Sequence, residues 1–484
     1  MPDAMPARLL LASLLGLGAC TAPPPLPTVP AIESPQAFLA QDAVGAGMVS
    51  PGQGMPWWRS LGDSQLDQLI ELALANNQDL RAASARMDQA RALAALDESG
   101  RRPSLNLSPQ VSRTRASDHV DAGVSVSSPA GGVSSLSVTP DTYNTRWRLP
   151  LEVSYEPDLW ERLSLTAQAS TQRLTASEQD LELARQSLVA SVVSSFHLLD
   201  VHRRQLSLQH EIRALEERRL QARQARQAAG LTDGAEVASL QVDMASTQIR
   251  LRQLQEQVAL DQHLLALLCG VQPQASPPLA AEGNAPEDRL ARLPLLADLP
   301  SRVLQRRPDV RATQARLDAA LSELGAARAE FLPSLRLTGV TGLESSALSQ
   351  LLQSGSLIWS LAAQINLPLF DGGRRDAQFA VARARLDEAA RQHEATVLQA
   401  LREVEDALVS AGAQQARVQQ QELAVQAAER LARSASDRAD AGLDTWSRAM
   451  DRQQAALQQR QSLLDAQGQA LIARVTLLKV LAHP

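Results

Sequence analysis

Four segments of the chain alternate between hydrophobic and polar residues with a period of two, the pattern of β-strands that have one apolar and one polar face. In the clearest of them, Trp147, Leu149 and Leu151 alternate with Arg148 and Glu152. The four predicted strands span about residues 104–114, 142–156, 333–343 and 357–370. Strands of about 10 residues can cross a lipid bilayer at a tilt, so we expect these segments to be transmembrane strands.

Four longer segments lack this alternation and are rich in Ala, Leu, Gln, Glu and Arg, with few prolines or glycines, which favours helices. They span about residues 160–228, 232–270, 372–440 and 444–481. A helix of some 70 residues would be about 100 Å long, so these helices need partners along their length, as in coiled coils. Gly230 and Gly442 suit the left-handed position after a helix end, which predicts that each pair folds back antiparallel.

The chain contains an internal duplication. The matching segments are Asp79–Ala82 with Asp309–Ala312, Pro103–Leu105 with Pro333–Leu335, and Ala229–Leu231 with Ala441–Leu443. We therefore predict a first structural repeat over residues 56–270, a linker over 271–300 and a second repeat over 301–484. The first repeat has extra residues in Ala116–Asp141, a stretch rich in Ser, Gly, Val and Pro that is predicted to be a loop.

Composition argues against an enzyme or a nucleic-acid-binding protein. Charged residues make up 21% of the chain and the net charge is −6, which does not favour nucleic acid as a partner. Aromatic residues make up 3%, a proportion typical of long helices rather than of a compact enzyme core. The sequence has no phosphate-binding loop, no nucleophile elbow and no Cys or His pair at metal-binding spacing. We expect no enzyme activity, no catalytic residue, no cofactor and no metal.

The first residues have the pattern of a lipoprotein leader. Arg8 precedes the apolar stretch Leu9–Ala19, as in a signal peptide. Leu17–Cys20 resembles a bacterial lipobox, which implies cleavage after residue 19 and lipidation of Cys20. Residues 20–55 are then a lipidated, proline-rich tether, and the acyl chains of Cys20 would insert into outer-membrane lipid. An ordinary signal peptide with a chance cysteine is the alternative.

Four strands in one chain cannot close a β-barrel, because about eight are the practical minimum. Open strand edges are not tolerated in lipid, so several copies of the chain would have to share one barrel. Three copies would give twelve strands and four would give sixteen, and periodicity alone leaves the copy number open. The long helices would continue the same cylinder outside the membrane as a tunnel. The predicted fold class is mostly α with transmembrane β.

Several blocks of the sequence, in the right order, resemble the TolC-like outer membrane factors of the NodT/OprM type. The blocks are Pro56–Trp58, Leu69–Leu80, Tyr155–Arg162, Leu299–Arg311 and Leu367–Arg374. The third block is similar to a strand-to-helix block that usually reads W-E-L-D-L-F-G-R, from which Pro157 and Glu161 depart.

The resemblance implies a homotrimer with a twelve-stranded outer-membrane barrel above a periplasmic coiled-coil helical barrel. It implies the passive outer-membrane channel of a tripartite, multidrug-type efflux system. The implied partners are a periplasmic membrane-fusion adaptor protein and an inner-membrane pump of RND or major-facilitator type. The alternative is a trimeric coiled-coil structural or adhesin-like outer-membrane protein, although such a protein has no need of duplicated hairpins between its helices.

The resemblance also carries two roles onto named residues. In the family, the helical turns farthest from the membrane dock the adaptor, which implies docking by Arg226, Gly230, Leu231, Arg438, Gly442 and Leu443. The competing interpretation is that these residues only end the helices.

The second role is a periplasmic gate. Asp451 falls on the family's gating aspartate, while Ser447 and Gln454 stand where relatives often have Leu and Arg. Three copies of Asp451 would form a constriction that attracts cations. The alternative is a solvated aspartate on a polar coiled-coil face.

Overall fold

The computed structural model describes residues 35, 37–39, 56–115, 117, 124–127, 133–136, 143–275, 289–290, 293 and 300–481, with only the backbone for 124–127 and 133–136. Cys20 and most of the predicted linker over 271–300 lie outside the described residues.

Helices dominate the described residues. They are α1 (Ser64–Asn76), α2 (Gln78–Ser99), α3 (Arg162–Ala228), α4 (Gly234–Leu268), α5 (Pro300–Arg306), α6 (Pro308–Ala329), α7 (Arg374–Asp440) and α8 (Trp446–Val480). The corresponding helices of the two halves have equal lengths: α2 and α6 have 22 residues, α3 and α7 have 67, and α4 and α8 have 35. Among the residues described, none of the helices is both long and apolar enough to cross a membrane.

The strands form one antiparallel sheet and a separate hairpin. They are β1 (Ser104–Leu107), β2 (Gln110–Arg115), β3 (Val124–Ser127), β4 (Val133–Leu136), β5 (Tyr143–Tyr155), β6 (Ser334–Ser345) and β7 (Leu357–Asn366). Both β1 and β2 pair with β5, and the sheet continues through β6 to β7. The hairpin consists of β3 and β4.

Two strand predictions and one loop prediction were wrong in detail. The predicted strand over 104–114 is divided into β1 and β2, because Pro109 has no N–H to donate to the ladder. The predicted loop over Ala116–Asp141 contains the hairpin of β3 and β4. The predicted strand over 357–370 already ends at Asn366, two residues before Pro368, which likewise cannot donate a ladder hydrogen bond.

Residues opposite each other in an antiparallel pair share a face. With the register of this sheet, the apolar residues therefore collect on one face and the charged residues on the other. On β7 the apolar face carries Leu357, Trp359, Leu361 and Ile365, which are 63%, 76%, 79% and 73% exposed. On the other face, Arg146 and Arg148 pair with Glu344 at 3.2 and 2.8 Å. An apolar face that is exposed along β7 is what a strand turned toward lipid or a partner presents.

The chain divides into two compact units. The first comprises the sheet and adjoining helix ends, over Arg91–Gln172 and Asp318–Glu388. Phe331 and Phe379 pack edge to face in this unit, with ring centroids 6.3 Å apart. The N-terminus of α3 is capped by Asp158, which accepts hydrogen bonds from Leu163 N at 3.0 Å and Ser164 N at 2.7 Å. Burial opposes ionisation of Asp158, but the bonds from Ser164 and Leu163 lower its pKa overall.

The second unit contains the main hydrophobic core, in the described parts of Val29–Ala90, Arg173–Leu317 and Ala389–Pro484. The core includes Leu66, Ile70, Val192, Leu199, Val404, Leu408 and Leu478.

A buried arginine lies beside this core. The guanidinium of Arg289 is 3.0 Å from Asp63 and 2.9 Å from Asp200, and it lies over the ring of Phe196. It is also 3.3 Å from Nδ1 of His197. Burial, together with Arg289, lowers the pKa of His197 to about 3, so this histidine is neutral at physiological pH.

Candidate functional site

The turn that joins α3 to α4 ends α3 in a Schellman motif. Gly230 adopts the left-handed conformation with φ 66°, its N–H bonds to the carbonyl of Gln227 at 2.9 Å, and Leu231 N bonds to the carbonyl of Arg226 at 2.9 Å. Asp233 then caps α4 by accepting from Ala235 N and Glu236 N.

The turn that joins α7 to α8 repeats this geometry. Gly442 has φ 70°, its N–H bonds to the carbonyl of Ala439 at 3.1 Å, and Leu443 N bonds to the carbonyl of Arg438 at 2.8 Å. Thr445 caps α8 by accepting from Arg448 N at 3.3 Å.

Both turns present an apolar side chain to solvent. Leu231 is 67% exposed and Leu443 is 69% exposed, while Arg226 and Arg438 are also exposed. A Schellman motif usually covers its apolar residue against the end of the helix, so this exposure is more than the helix end itself requires. The two turns therefore offer an apolar residue beside a cation, a combination suited to contact with another protein.

The predicted gate residues lie on α8, where a row of polar pairs joins this helix to α3. We name this row the polar ladder, and its pairs are Gln205 with Asp465, Gln209 with Gln461, Glu216 with Gln454, Arg219 with Asp451, and Arg223 with Ser447. Steps of four, seven, three and four residues along α3 are matched by the same steps backward along α8. This is the heptad-related spacing of an antiparallel coiled coil, with polar contacts at the seam.

Arg219 is the central member of the ladder. Its guanidinium donates to Oδ1 of Asp451 and also to Oε1 of Gln454. Gln454 in turn donates to Oε1 of Glu216 at 3.0 Å. Two of the three predicted gate residues are therefore held by a single cation from the facing helix.

Arg223 holds the third gate residue and brings in a third helix. It donates to Oγ of Ser447 on α8 at 2.7 Å and to Oε2 of Glu236 on α4 at 2.6 Å. Glu236 lies in the first turn of α4, immediately after the exposed turn at Gly230. The gate residues are therefore connected to one of the helical turns through Arg223.

Glu216 is the buried carboxylate of the ladder. Burial raises its pKa, and nearby Asp243 acts in the same direction, whereas a hydrogen bond from Thr247 and the charge of Arg219 act against it. A proton-sensitive group thus lies one helical turn from the Arg219–Asp451 pair.

Sequence reasoning placed Asp451, Ser447 and Gln454 together but missed Glu216, Arg219 and Arg223, which the structure brings to them. The available signal was spacing: Arg219 and Arg223 are four residues apart on α3, as Ser447 and Asp451 are on α8. Among the described residues, no group of three or more His, Cys, Asp or Glu side chains could hold a metal ion.

Comparisons of this chain with known proteins point to one family. A family model described as outer membrane efflux protein matches residues 69–271 and 299–483. Outer membrane protein OprJ of Pseudomonas aeruginosa is 31% identical over 98% of this chain and 95% of its own length. The probable outer membrane lipoprotein SilC of Salmonella typhimurium is 27% identical over 83% of this chain and 82% of its own length.

The fold is also similar to a solved structure. The outer membrane protein VceC of Vibrio cholerae superimposes with a TM-score of 0.75 at 27% identity. The match covers 88% of this chain and 99% of the VceC chain.

Proposed function

The chain belongs to the outer membrane efflux protein family, and we propose that it is the passive outer-membrane channel of a tripartite efflux system. Its fold is mostly helical and TolC-like, and its location is the outer membrane. Substrates would reach it from an inner-membrane pump of RND or major-facilitator type, joined to it by a periplasmic adaptor. Lipidation of Cys20 would add a second attachment to the membrane, because acyl chains insert into the bilayer.

The observation that carries the proposal is the sheet, which has an exposed apolar face and two outer edges. Its described path of β1 with β2, β5, β6 and β7 would contribute four strands to a barrel. Three copies, joined edge to edge, would close a barrel of twelve strands, which leaves no edge open in lipid. The apolar face would contact lipid, and the face with Arg146, Arg148 and Glu344 would line the lumen.

We assign the gate to the polar ladder. In a trimer, α8 would lie around the pore, with Asp451 at the constriction and Arg219 fixing each copy against α3. Opening would separate α8 from α3, so the Arg219 and Arg223 contacts would hold the closed state. Hydrogen bonds between partly exposed charged groups contribute modestly, which suits contacts that must break during transport.

The exposed turns at Gly230 and Gly442 would dock the adaptor through Leu231, Leu443 and the neighbouring arginines. Ala441→Asp combined with Gly442→Ala is expected to abolish efflux without removing the trimer, because it places a charge in the apolar contact and strains the left-handed turn. The control Ser434→Asp adds the same charge about two helical turns away and should leave efflux normal. Normal efflux in the double variant would contradict the docking assignment.

Reconstitution tests the channel itself. The purified protein should have the mass of three copies in detergent and should form ion-conducting channels in a planar bilayer. Gly342→Ala should abolish the channels, because a Cβ there would clash with the carbonyl oxygen of Leu149 and break the pairing of β5 with β6. The control Gly339→Ala should keep them, since its nearest contact would be Leu361 at 3.8 Å. A single-copy mass without conductance in the unaltered protein would contradict the proposed function.

A further inference from the structure

In the second compact unit, four long helices lie side by side in a definite order. α4 contacts α3, where Nδ1 of His202 is 2.6 Å from Oδ2 of Asp261. α3 contacts α8 through the polar ladder. α8 contacts α7, where Arg460 donates to Glu429 at 2.7 Å. The order is therefore α4, α3, α8, α7, which makes α4 and α7 the two outer helices of this layer.

The outer helices present apolar side chains to solvent. On α4, Val242, Ile249, Leu260 and Leu267 are each at least half exposed, and on α7 Leu431 is more than half exposed. The four residues of α4 are seven, eleven and seven positions apart. Steps of seven and eleven return to nearly the same side of a helix, so these residues form one stripe. An exposed apolar stripe of this length is typical of a contact with another protein.

The internal duplication indicates what covers the outer helices. A shift of 212 residues places Ala229–Leu231 on Ala441–Leu443, and with them α3 on α7 and α4 on α8. The seam of α3 with α8 therefore has a counterpart in which α7 meets α4. Because these two helices are at opposite ends of the layer, the α4 that covers α7 has to come from a second copy of the chain. Such a head-to-tail contact can close into a ring.

The same shift predicts the register of the seam between copies. The counterparts of three ladder pairs are Gln421 with Ile249, Ala428 with Val242, and Leu431 with Ser239. All of these side chains are uncharged, whereas the ladder pairs that they replace include Glu216, Arg219 and Asp451. The charged contacts are thus inside one copy, and the contacts between copies are uncharged.

We propose that α7 of one copy packs against α4 of the next copy in this register, with Ala428 opposite Val242. The inference deepens the proposed function, because it names the helical interface that would complete the ring of three copies. Leu431 and Val242, exposed in a single copy, would be covered in the ring. Apolar residues in such heptad-related positions are what hold neighbouring helices of a coiled coil together.

Cysteine cross-linking tests the register with four positions in two combinations. The in-register pairs are Val242→Cys with Ala428→Cys, and Ile249→Cys with Gln421→Cys. The out-of-register pairs recombine the same positions as Val242→Cys with Gln421→Cys, and Ile249→Cys with Ala428→Cys. A short bismaleimide should link copies about fivefold more in the in-register pairs, because the other pairs are offset by about 10 Å along the helices. Denaturing gels of isolated membranes measure the covalent dimers and trimers.

The single-cysteine variants and the unaltered protein are the controls. In a head-to-tail contact no residue faces its own copy, so no single variant should link two copies. The unaltered protein measures any reaction of its own Cys20 and Cys269. Equal linking of the in-register and out-of-register pairs, dimers of a single variant, or consumption of both thiols within one copy overturns the interface.

A charge-pair variant serves if the cysteine variants do not assemble. Ser239→Asp with Leu431→Arg would reproduce the pair of Arg219 with Asp451 between copies. Each change alone should lower the temperature at which the trimer dissociates, and both together should restore part of that loss. Absence of coupling between the two changes counts against the register. The mass and conductance of the unaltered protein are measured separately. Channels of three copies without in-register links contradict only this inference, whereas a single-copy mass without channels contradicts the proposed function.

Discussion

Arg219 on α3 and Asp451 on α8 are joined side chain to side chain across two antiparallel helices, and the same guanidinium also holds Gln454. Glu216, three residues before Arg219, pairs with Gln454, three residues after Asp451. In the other direction, Arg223, four residues after Arg219, pairs with Ser447, four residues before Asp451. A small movement of α8 along α3 would break all of these contacts together, because they share one register. This shared register is the physical reason to regard the polar ladder as a two-state element.

Arg219→Gln is expected to favour the open channel, because it removes the charge that holds both Asp451 and Gln454. A partly exposed pair of this kind contributes about 0.5–1 kcal/mol, so the open-to-closed equilibrium constant should rise about two- to fivefold for each copy that loses it. Single-channel recording in a planar bilayer measures this fraction. Asp451→Ala should have the same direction of effect and should also reduce cation selectivity.

Arg213→Gln is the matched control for Arg219. Arg213 is on the same helix, but it pairs at 2.9 Å with Glu217 of its own helix and not with α8. Its replacement should leave the conductance unchanged. Equal open fractions in the two variants, or unchanged selectivity after Asp451→Ala, would count against the gate.

Glu216 predicts a pH dependence of stability. Burial raises its pKa above the ordinary 4.5, so the folded protein holds this proton more tightly than the unfolded chain does. The resulting contribution to stability is present at low pH and is lost as the pH rises through the folded-state pKa. Glu216→Gln mimics the protonated form, so it should stabilise the protein near neutral pH and flatten the pH dependence in this window.

The measurement for Glu216 is the apparent unfolding temperature at a fixed scan rate between about pH 4.5 and pH 8. Glu217→Gln is the control, because Glu217 is much more exposed and pairs with Arg213. An identical pH profile for Glu216→Gln and the unaltered protein would show that Glu216 does not titrate in this range.

Local pattern predicted much of the fold. The four long helices begin only two residues after the predicted positions. They were predictable because helix-forming composition persists over their whole length and because Gly230 and Gly442 end two of them. The break between β1 and β2 at Pro109 could have been predicted, because proline cannot donate a ladder hydrogen bond. The hydrophobic alternation on both sides of Pro109 led instead to the prediction of one continuous strand. The contact of Arg219 with Asp451 could not be predicted from the sequence, since it depends on the register of two helices whose contacting residues are more than two hundred positions apart.

Glu161 marks a place where the sequence departs from its own repeat. It has φ 61°, whereas Gly373, which stands before the matching arginine of the second half, has φ 86°. A left-handed backbone costs a residue with a Cβ about 1 kcal/mol relative to glycine. Glu161→Gly should therefore raise the apparent unfolding temperature by about 1 °C, and Gly373→Ala should lower it. A decrease with Glu161→Gly would mean that the glutamate side chain makes a compensating contact.

Arg289→Met is expected to be strongly destabilising, because Arg289 is buried and its loss leaves the buried carboxylate of Asp63 without its charged partner. Removing one member of a buried ion pair costs about 3–5 kcal/mol. Neutral His197 does not replace the lost cation, since burial, the larger cause of its lowered pKa, remains when Arg289 is removed. The control is Arg316→Met, which breaks the exposed pair of Arg316 with Asp180 and should change stability by less than about 1 kcal/mol. Assembly yield and the rate of thermal inactivation measure both variants. Equal, small effects would show that Asp63 and Asp200 are satisfied without Arg289, whereas a large effect limited to Arg289→Met would identify this arginine as the residue that ties α1 to α3.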